Sequence, residues 1–192
     1  LNKIKVASIG TLGIKINKKT KKSNLTSPDI ISMHKELFKL KKSRIENVII
    51  EASSHGLDQS RLNHINFKAA IFTNFSQDHL DYHKTMRSYL NAKLILLRKI
   101  LLNNSSVILD KTIREFLILN KILKKRKLKL IEISKITNKI KNISESMKSE
   151  FQQKNLAMAI AATKLCGLKD KKIYKSLKRI NNVNGRMELV RR

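Results

Sequence analysis

Short apolar runs alternate with amphipathic stretches along most of the chain, and this alternation predicts strands and helices in turn. Three runs are typical of buried strands because glycine or polar residues bound them: 3–9, 48–50 and 69–72. Between the first two, a Thr-Ser-Pro-Asp opening that can cap a helix precedes apolar residues at helical spacing: Ile30, Met33, Leu37 and Leu40. A strand, a helix and a second strand predict a parallel pair joined by a right-handed crossover.

The same alternation continues along the chain. Further strands are predicted at 106–110 and 128–133, and further helices at 85–102, 111–125, 151–166 and 170–180. Residues 14–25 are polar and lysine-rich and predict a loop or an irregular hairpin, whereas 134–150 has no clear pattern. The expected fold class is therefore α/β, a mostly parallel sheet flanked by helices.

The helix predicted at 85–102 carries a lysine within its apolar face. Lys93 lies three or four residues from each of four apolar neighbours: Tyr89, Leu90, Leu96 and Leu97. An ammonium group is costly to bury unless it is paired or neutralised. Desolvation would lower the pKa of this amine and make it reactive, whereas a lysine at the edge of the face would extend its amine into solvent. Both alternatives stay open on spacing alone.

The amino-acid composition gives the chain a strong net positive charge. Forty-two Lys and Arg residues against 14 Asp and Glu give a formal net charge of +28, while 41% hydrophobic residues indicate a globular chain. Such an excess suggests nucleic acid as a partner. However, the lysines are scattered and the chain has three Tyr and no Trp for base stacking. We therefore expect no specific nucleic-acid partner, and an anionic small substrate would use the same field.

The number of cysteines and the lengths of the hydrophobic runs indicate which cellular compartment the protein occupies. The single Cys166 follows an apolar helical stretch and is expected to be a buried structural thiol. One cysteine excludes an internal disulfide, which fits a reducing cytoplasm. No apolar run approaches about 18 residues, so we expect no membrane-spanning helix. Because the chain starts at Leu1 rather than Met and stops at Arg192 after a charged pair, we treat it as a piece of a longer protein.

Two predicted strands end in polar clusters that could form one site. Glu51 and the turn Ser-Ser-His-Gly follow the run at 48–50, and His79 lies in the polar loop after the run at 69–72. Loops at the carboxyl ends of parallel strands form the ligand crevice of such sheets. Glu51 and His79 are therefore a candidate Mg²⁺ pair, although imidazole is the less usual ligand and a turn histidine is the alternative. Asp78 and Asp81 are either part of this site or caps of the next helix.

Five motifs occur in order along the chain: EASSHGLDQSR at 51–61, TNFSQDHLDYH at 73–83, NAK at 91–93, FQQKN at 151–155 and GRME at 185–188. Together they resemble the central, ATP-binding domain of the Mur ligase family, from IGTLG at 9–13 to GRMEL at 185–189. The first two motifs are most similar to members that add the third peptide residue, diaminopimelate or lysine, to the peptidoglycan precursor. The resemblance implies a central domain at 1–188, with 189–192 leading to a C-terminal domain.

The resemblance also implies a role for each matching residue. Glu51 and His79 would hold Mg²⁺, and Lys93 would be a carbamylated lysine that helps to place a second Mg²⁺. Contacts to UDP-N-acetylmuramoyl-dipeptide would come from Thr26, Ser27, Ser53, Gln59 and Arg61. Contacts to the nucleotide would come from Asn74, Asn155 and Arg186.

The implied reaction is ATP-dependent amide formation by a cytoplasmic monomer. ATP would phosphorylate the terminal carboxylate of the dipeptide, and the amine of a diamino acid would displace phosphate through a tetrahedral intermediate. Catalysis of this kind depends on positioning and on charge neutralisation by metals, cationic side chains and backbone amides. ATP and Mg²⁺ are the implied cofactors.

The chain departs from the family pattern in several places. The phosphate loop, the uridine-binding domain and the domain that selects the amino acid would lie outside 1–192, so we expect no turnover by this piece alone. Leu25 and Ser27 replace a family Asn and Thr, Ser149 replaces a Gly, and the segment between Asp110 and Phe151 is short. Three alternatives stay open: a folylpolyglutamate synthase-like ligase, a non-catalytic remnant, and a basic nucleic-acid-binding module.

Overall fold

The computed structural model describes residues 4–17, 19–141 and 143–180. These residues fall into two compact units, one made of 4–70 with 75–105 and the other of 71–74 with 106–180. Strands and helices alternate in both units, which confirms the predicted α/β class. Arg186 and the expected domain boundary at 188 lie outside the described residues, so the predictions about them stay predictions.

The first unit is built on a mixed sheet with the strand order β3-β2-β1-β4. Its strands are β1 (Val6–Gly10), β2 (Gly13–Ile16), β3 (Lys19–Lys21) and β4 (Asn47–Ile50). β1 pairs with β4 in parallel, with Ile9 opposite Ile50, which confirms the predicted parallel pair. The lysine-rich stretch forms the antiparallel β2–β3 hairpin, the second of its two expected forms.

The helices of the first unit are α1 (Ile30–Lys42), α2 (Ser54–Asp58), α3 (Leu80–His83) and α4 (Met86–Ile95), followed by a π-helical segment Leu96–Ile100. α1 begins after Asp29, whose carboxylate accepts a hydrogen bond from the Ser32 amide at 2.9 Å, as the sequence predicts. The sheet, α1, α2 and the segment after α2 share one apolar core: Ala7, Ile9, Ile14, Met33, Leu40, Leu57 and Leu62. This core fixes the ends of β1 and β4, where the candidate site lies.

The second sheet has the strand order β5-β6-β7, with β6 and β7 parallel. Its elements are β5 (Ala69–Phe72), β6 (Ser106–Leu109), α5 (Phe116–Lys125), β7 (Lys129–Glu132), α6 (Ser134–Thr137), a 3₁₀ turn Glu145–Met147, α7 (Glu150–Leu165) and α8 (Asp170–Leu177). Buried residues of β6 and α7 pack together around Ile108, Ala157 and Met158. Within the residues that the structure describes, none of the helices has the length and apolarity needed to cross a membrane.

The predicted end of the long apolar helix is confirmed, but the predicted burial of its cysteine is wrong. α7 ends at Leu165, and Gly167 beyond it takes a φ of +84°, a left-handed conformation that glycine adopts without strain. Cys166 caps the helix and is exposed, because it follows the turns whose side chains enter the core. Apolar neighbours in sequence therefore did not make this thiol a core residue.

Candidate functional site

The site begins at the carboxyl ends of the neighbouring strands β1 and β4. Glu51 follows β4, and its carboxylate accepts hydrogen bonds from the Thr11 amide at 2.8 Å and from the Thr11 hydroxyl at 2.9 and 3.0 Å. Gly10 makes room for this arrangement, because a Cβ atom there would lie 2.5 Å from Oε2 of Glu51. The turn after β1 is therefore shaped around an exposed carboxylate.

Ser27 and Ser53 hold the backbone around Glu51. The Ser27 hydroxyl donates to the Glu51 carbonyl at 2.8 Å, lies 3.1 Å from the Ser53 hydroxyl and accepts from the Ser53 amide at 3.2 Å. Ser53 in turn caps α2 by accepting from the Gly56 amide at 3.0 Å. Ser27 is 0% exposed, so its hydroxyl acts within the protein in this structure. The substrate contacts implied for both serines stay predictions.

Gly56 is packed tightly against these two serines. A Cβ atom at Gly56 would lie 2.7 Å from Cβ of Ser27 and 2.9 Å from Oγ of Ser53. We expect Gly56→Ala to lower the free energy of unfolding by about 1–3 kcal/mol, because the added methyl must displace the buried Ser27 or the partly buried Ser53 that is hydrogen-bonded to it. Urea denaturation measures the change, with exposed Ser76→Ala as a control expected to stay within about 0.5 kcal/mol. An unchanged Gly56→Ala variant would contradict this packing.

Gln59 and Arg61 belong to one chain of hydrogen bonds. Arg61 donates to the Ser27 carbonyl at 2.9 Å and to the Gln59 side-chain oxygen. The Gln59 amide donates to the Tyr82 hydroxyl at 3.2 Å, and that hydroxyl donates to Asp58 at 2.9 Å. Both predicted substrate residues are therefore held in fixed orientation. Sequence reasoning missed Tyr82, because no spacing rule connects a tyrosine of α3 with the end of α2.

Lys93 lies on the half-buried side of α4, which packs against α2. Its neighbours Tyr89 and Leu97 are 5% and 2% exposed, which confirms the apolar face predicted around it. The Lys93 amine lies 5.0 Å from the centroid of the Tyr89 ring. Burial lowers the pKa of Lys93 below its ordinary value, and the negative charges of Asp78 and Glu51 act in the opposite direction. The amine is thus desolvated and within the field of two carboxylates.

His79 reaches the same aromatic ring as Lys93. The centroids of the His79 and Tyr89 rings are 5.7 Å apart, and the His55 ring of α2 lies 5.1 Å from that of His79. The segments that follow β4 and β5 therefore meet at the contact between His55 and His79. His79 has a φ of +54°, an uncommon conformation for a non-glycine residue that often marks functional sites. Asp78 accepts from the His79 amide at 2.8 Å, but α3 begins after His79 without a side-chain cap and α4 is capped by Thr85, so the structure does not confirm the cap alternative for Asp78 and Asp81.

The donor atoms in this region fit Mg²⁺ only under one condition. Among the residues that the structure describes, no group of three or more His, Cys, Asp or Glu side chains is placed to hold a metal ion. Glu51 supplies one carboxylate and His79 an imidazole, whereas Mg²⁺ prefers several oxygen ligands and a lysine ammonium would repel it. A carbamate on Lys93 would replace that positive charge with two oxygen donors. Only with Lys93 in its carbamate form would these residues offer the oxygen ligands that Mg²⁺ prefers, and the metal roles of Glu51, His79 and Lys93 stay predictions.

The remaining predicted nucleotide residues lie in the second unit. Asn74 follows β5 and accepts from the Thr73 hydroxyl at 3.3 Å, and Asn155 lies half-buried in α7. The neighbouring Lys154 pairs with Asp110 at 3.0 Å and with Glu150 at 2.8 Å. Burial acts to raise the pKa of Asp110, but hydrogen bonds from Thr112 and Lys154 outweigh it and lower that pKa. The roles of Asn74 and Asn155 stay predictions.

The depressed pKa of Lys93 leads to a stability prediction. Between the folded pKa and the ordinary value of 10.5, the unfolded chain binds more protons, so the stability of the chain rises with pH through this window. Without bicarbonate, we expect Lys93→Met to raise Tm at pH 7 by about 2–4 °C, and this advantage should shrink toward pH 10.5. Thermal unfolding at both pH values measures the difference, with exposed Lys99→Met as the matched control. A lower Tm for Lys93→Met at pH 7 would contradict the burial of a charged amine.

Comparison with known proteins identifies the family of the chain. The model of the Mur ligase middle domain matches residues 1–173. The UDP-N-acetylmuramoyl-L-alanyl-D-glutamate–2,6-diaminopimelate ligase of Rickettsia conorii is 36% identical over an alignment 211 positions long, which covers 97% of this chain and 44% of that protein. The ligase of the same name from Rhizobium meliloti is 30% identical, over 96% of this chain and 42% of that protein. The chain thus spans less than half the length of the curated relatives it matches.

Solved structures share the fold. A UDP-N-acetylmuramoyl-L-alanyl-D-glutamate–2,6-diaminopimelate ligase superposes with a TM-score of 0.80 at 21% identity, over 98% of this chain and 43% of that one. MurF from Acinetobacter baumannii superposes with a TM-score of 0.59 at 14% identity, over 77% of this chain and 37% of that one. The sequence match over most of the chain, supported by this likeness in fold, shows that the chain belongs to the Mur ligase family and carries its middle domain.

Proposed function

We propose that this chain is the central part of an ATP-dependent ligase that adds a diamino acid to UDP-N-acetylmuramoyl-dipeptide. One observation carries the proposal: the Lys93 amine and the His79 ring approach the same Tyr89 ring, and this amine is largely buried within the electrostatic influence of Asp78 and Glu51. A lysine of lowered pKa is neutral more often, and a neutral amine can add CO₂ to give a carbamate. The sequence relatives named above, which are such ligases, support the same reading.

In this proposal Glu51, His79 and a carbamate on Lys93 would hold Mg²⁺, which would supply charge neutralisation at the phosphates of ATP. The chain's own contribution is to keep these donors in place. Thr11 holds the Glu51 carboxylate, and Ser27 holds the Glu51 carbonyl. Such fixed donors need little reorganisation during the reaction, which is the physical basis of electrostatic catalysis.

Arg61 is suited to bind an anionic part of the substrate. It uses two of its N–H groups on Ser27 and Gln59 within the described residues, and a guanidinium has five such donors. The remaining donors can bind a carboxylate or phosphate oxygen in fixed geometry. Together with the net charge of +28, this favours a substrate that carries several negative charges.

The proposal concerns the complete protein, because the chain spans only 44% of the Rickettsia conorii relative. The phosphate loop, a uridine-binding region and an amino-acid-selecting region are expected outside residues 1–192. We therefore propose that these 192 residues alone do not form the amide bond. A coupled phosphate-release assay on the isolated chain tests this, and amide formation by it would contradict the proposal.

The whole reaction is tested with the complete protein encoded by the gene. It is incubated with ATP, Mg²⁺, UDP-N-acetylmuramoyl-L-alanyl-D-glutamate and either diaminopimelate or lysine. We expect phosphate release that requires all four components, with a product of the mass expected for one new amide bond. Folded protein that releases phosphate only with a folate substrate and glutamate, or with neither substrate pair, would overturn the proposal.

A further inference from the structure

Thr11 binds the Glu51 carboxylate through both its backbone amide and its side-chain hydroxyl. Its amide and hydroxyl donate to the Glu51 carboxylate at 2.8 to 3.0 Å, so one residue contacts both carboxylate oxygens. None of the roles implied by the family resemblance falls on Thr11. Its position at the end of β1 places it beside the end of the parallel strand β4. The parallel pairing of β1 with β4 therefore places Thr11 and Glu51 within hydrogen-bonding distance of each other.

The hydroxyl of Thr11 also lies 3.2 Å from the hydroxyl of Thr26. A hydroxyl has one hydrogen, and Glu51 as a carboxylate can only accept, so the Thr11 hydrogen points to Glu51. Thr26 must then donate its own hydrogen to Thr11. Because its hydrogen is used in this bond, the Thr26 hydroxyl can only accept a further hydrogen bond. A ligand that binds to it must therefore offer a donor such as a peptide N–H.

We propose that Thr11 is a positioning residue that orients the Glu51 carboxylate for a divalent cation and sets the Thr26 hydroxyl as an acceptor. This inference rests on the proposed function, because it needs Glu51 to be a metal ligand. Donors on the Thr11 side fix the rotation of the carboxylate and leave its other lone pairs for the cation. Partners that hold a ligating carboxylate affect metal affinity, and their loss commonly weakens it by about 10–100-fold.

Mn²⁺ binding to the complete protein tests this without relying on turnover. Free Mn²⁺ is followed by electron paramagnetic resonance in bicarbonate buffer, for the unsubstituted protein and three variants. Thr11→Val removes the hydroxyl at nearly constant volume, and we expect it to weaken Mn²⁺ binding by about 10-fold. Thr11→Ser keeps the hydroxyl and should bind within about twofold of the unsubstituted protein. Thr26→Val removes the neighbouring hydroxyl but no bond to Glu51, so its Mn²⁺ affinity should also stay within about twofold.

The outcomes separate this inference from the function on which it rests. Equal Mn²⁺ affinity of Thr11→Val and the unsubstituted protein would overturn the role of Thr11 alone. If the unsubstituted protein shows no saturable Mn²⁺ binding, both the role of Thr11 and the proposed metal-dependent function are overturned. An equal loss in Thr11→Val and Thr26→Val would also overturn the role of Thr11, because Thr26 makes no bond to the Glu51 carboxylate and the loss could not then come from the bond that Thr11 makes. Circular dichroism at the assay temperature confirms that each variant compared is folded.

Discussion

Replacing Lys93 with alanine is expected to lower the kcat of the complete protein by about 10²–10³-fold, the range seen when one preorganised charge-stabilising group is lost. The amine lies on the Tyr89 ring and within the fields of Asp78 and Glu51, so no solvent-exposed lysine can take its place. Alanine removes both the amine and the carbamate that it would form. It also leaves a cavity of roughly the shape of the missing side chain, in which a small carboxylate can be accommodated.

Phosphate release with and without added formate, acetate or propionate measures this effect. We expect one of these anions to restore part of the activity of Lys93→Ala, because it supplies the missing oxygen donors. Lys99→Ala, on the exposed side of the following π-helical segment, is the matched control and should keep its activity. Full activity of Lys93→Ala without added carboxylate would contradict the proposed role.

Glu51→Gln is expected to lower kcat/KM at fixed Mg²⁺ by about 10²-fold, since a neutral amide is a poor Mg²⁺ ligand. Glutamine has nearly the same shape, and its side-chain oxygen can still accept from the Thr11 amide, so the turn should keep its fold. The loss is therefore one of charge rather than of structure. Removing this negative charge also removes one of the two influences that raise the pKa of Lys93.

The measurement is the dependence of the rate on Mg²⁺ concentration. For Glu51→Gln we expect half-maximal activity at a much higher Mg²⁺ concentration than for the unsubstituted protein. Glu46→Gln makes the same chemical change at an exposed position just before β4 and should leave the Mg²⁺ dependence unaltered. An unaltered Mg²⁺ dependence in Glu51→Gln would show that Glu51 does not hold the metal.

The local pattern of the sequence predicts much of the fold. The apolar runs around α1 predicted the parallel β1–β4 pair, because a helix after a buried strand returns the chain to the same sheet. The spacing around Lys93 predicted its apolar face, because helical periodicity places Tyr89 and Leu97 on the same side. These features depend on residues close together in sequence.

Features that depend on residues far apart were not predicted. The bond between Thr11 and Glu51 joins residues 40 positions apart, and it needs the register of β1 against β4. The two strand-end motifs were a usable signal, because neighbouring parallel strands end at one edge of the sheet. The link from Gln59 through Tyr82 to Asp58 has no comparable signal, since it depends on how α3 is placed over α2.

Carbon-13 NMR of the complete protein in [¹³C]bicarbonate tests the central claim most directly, because a carbamate carbon is observed without any assay of activity. We expect one slowly exchanging carbamate resonance in the presence of Mg²⁺, absent from Lys93→Met and retained in Lys99→Met. A resonance that persists in Lys93→Met, or no protein-bound carbamate in the unsubstituted protein, would contradict the assignment of Lys93.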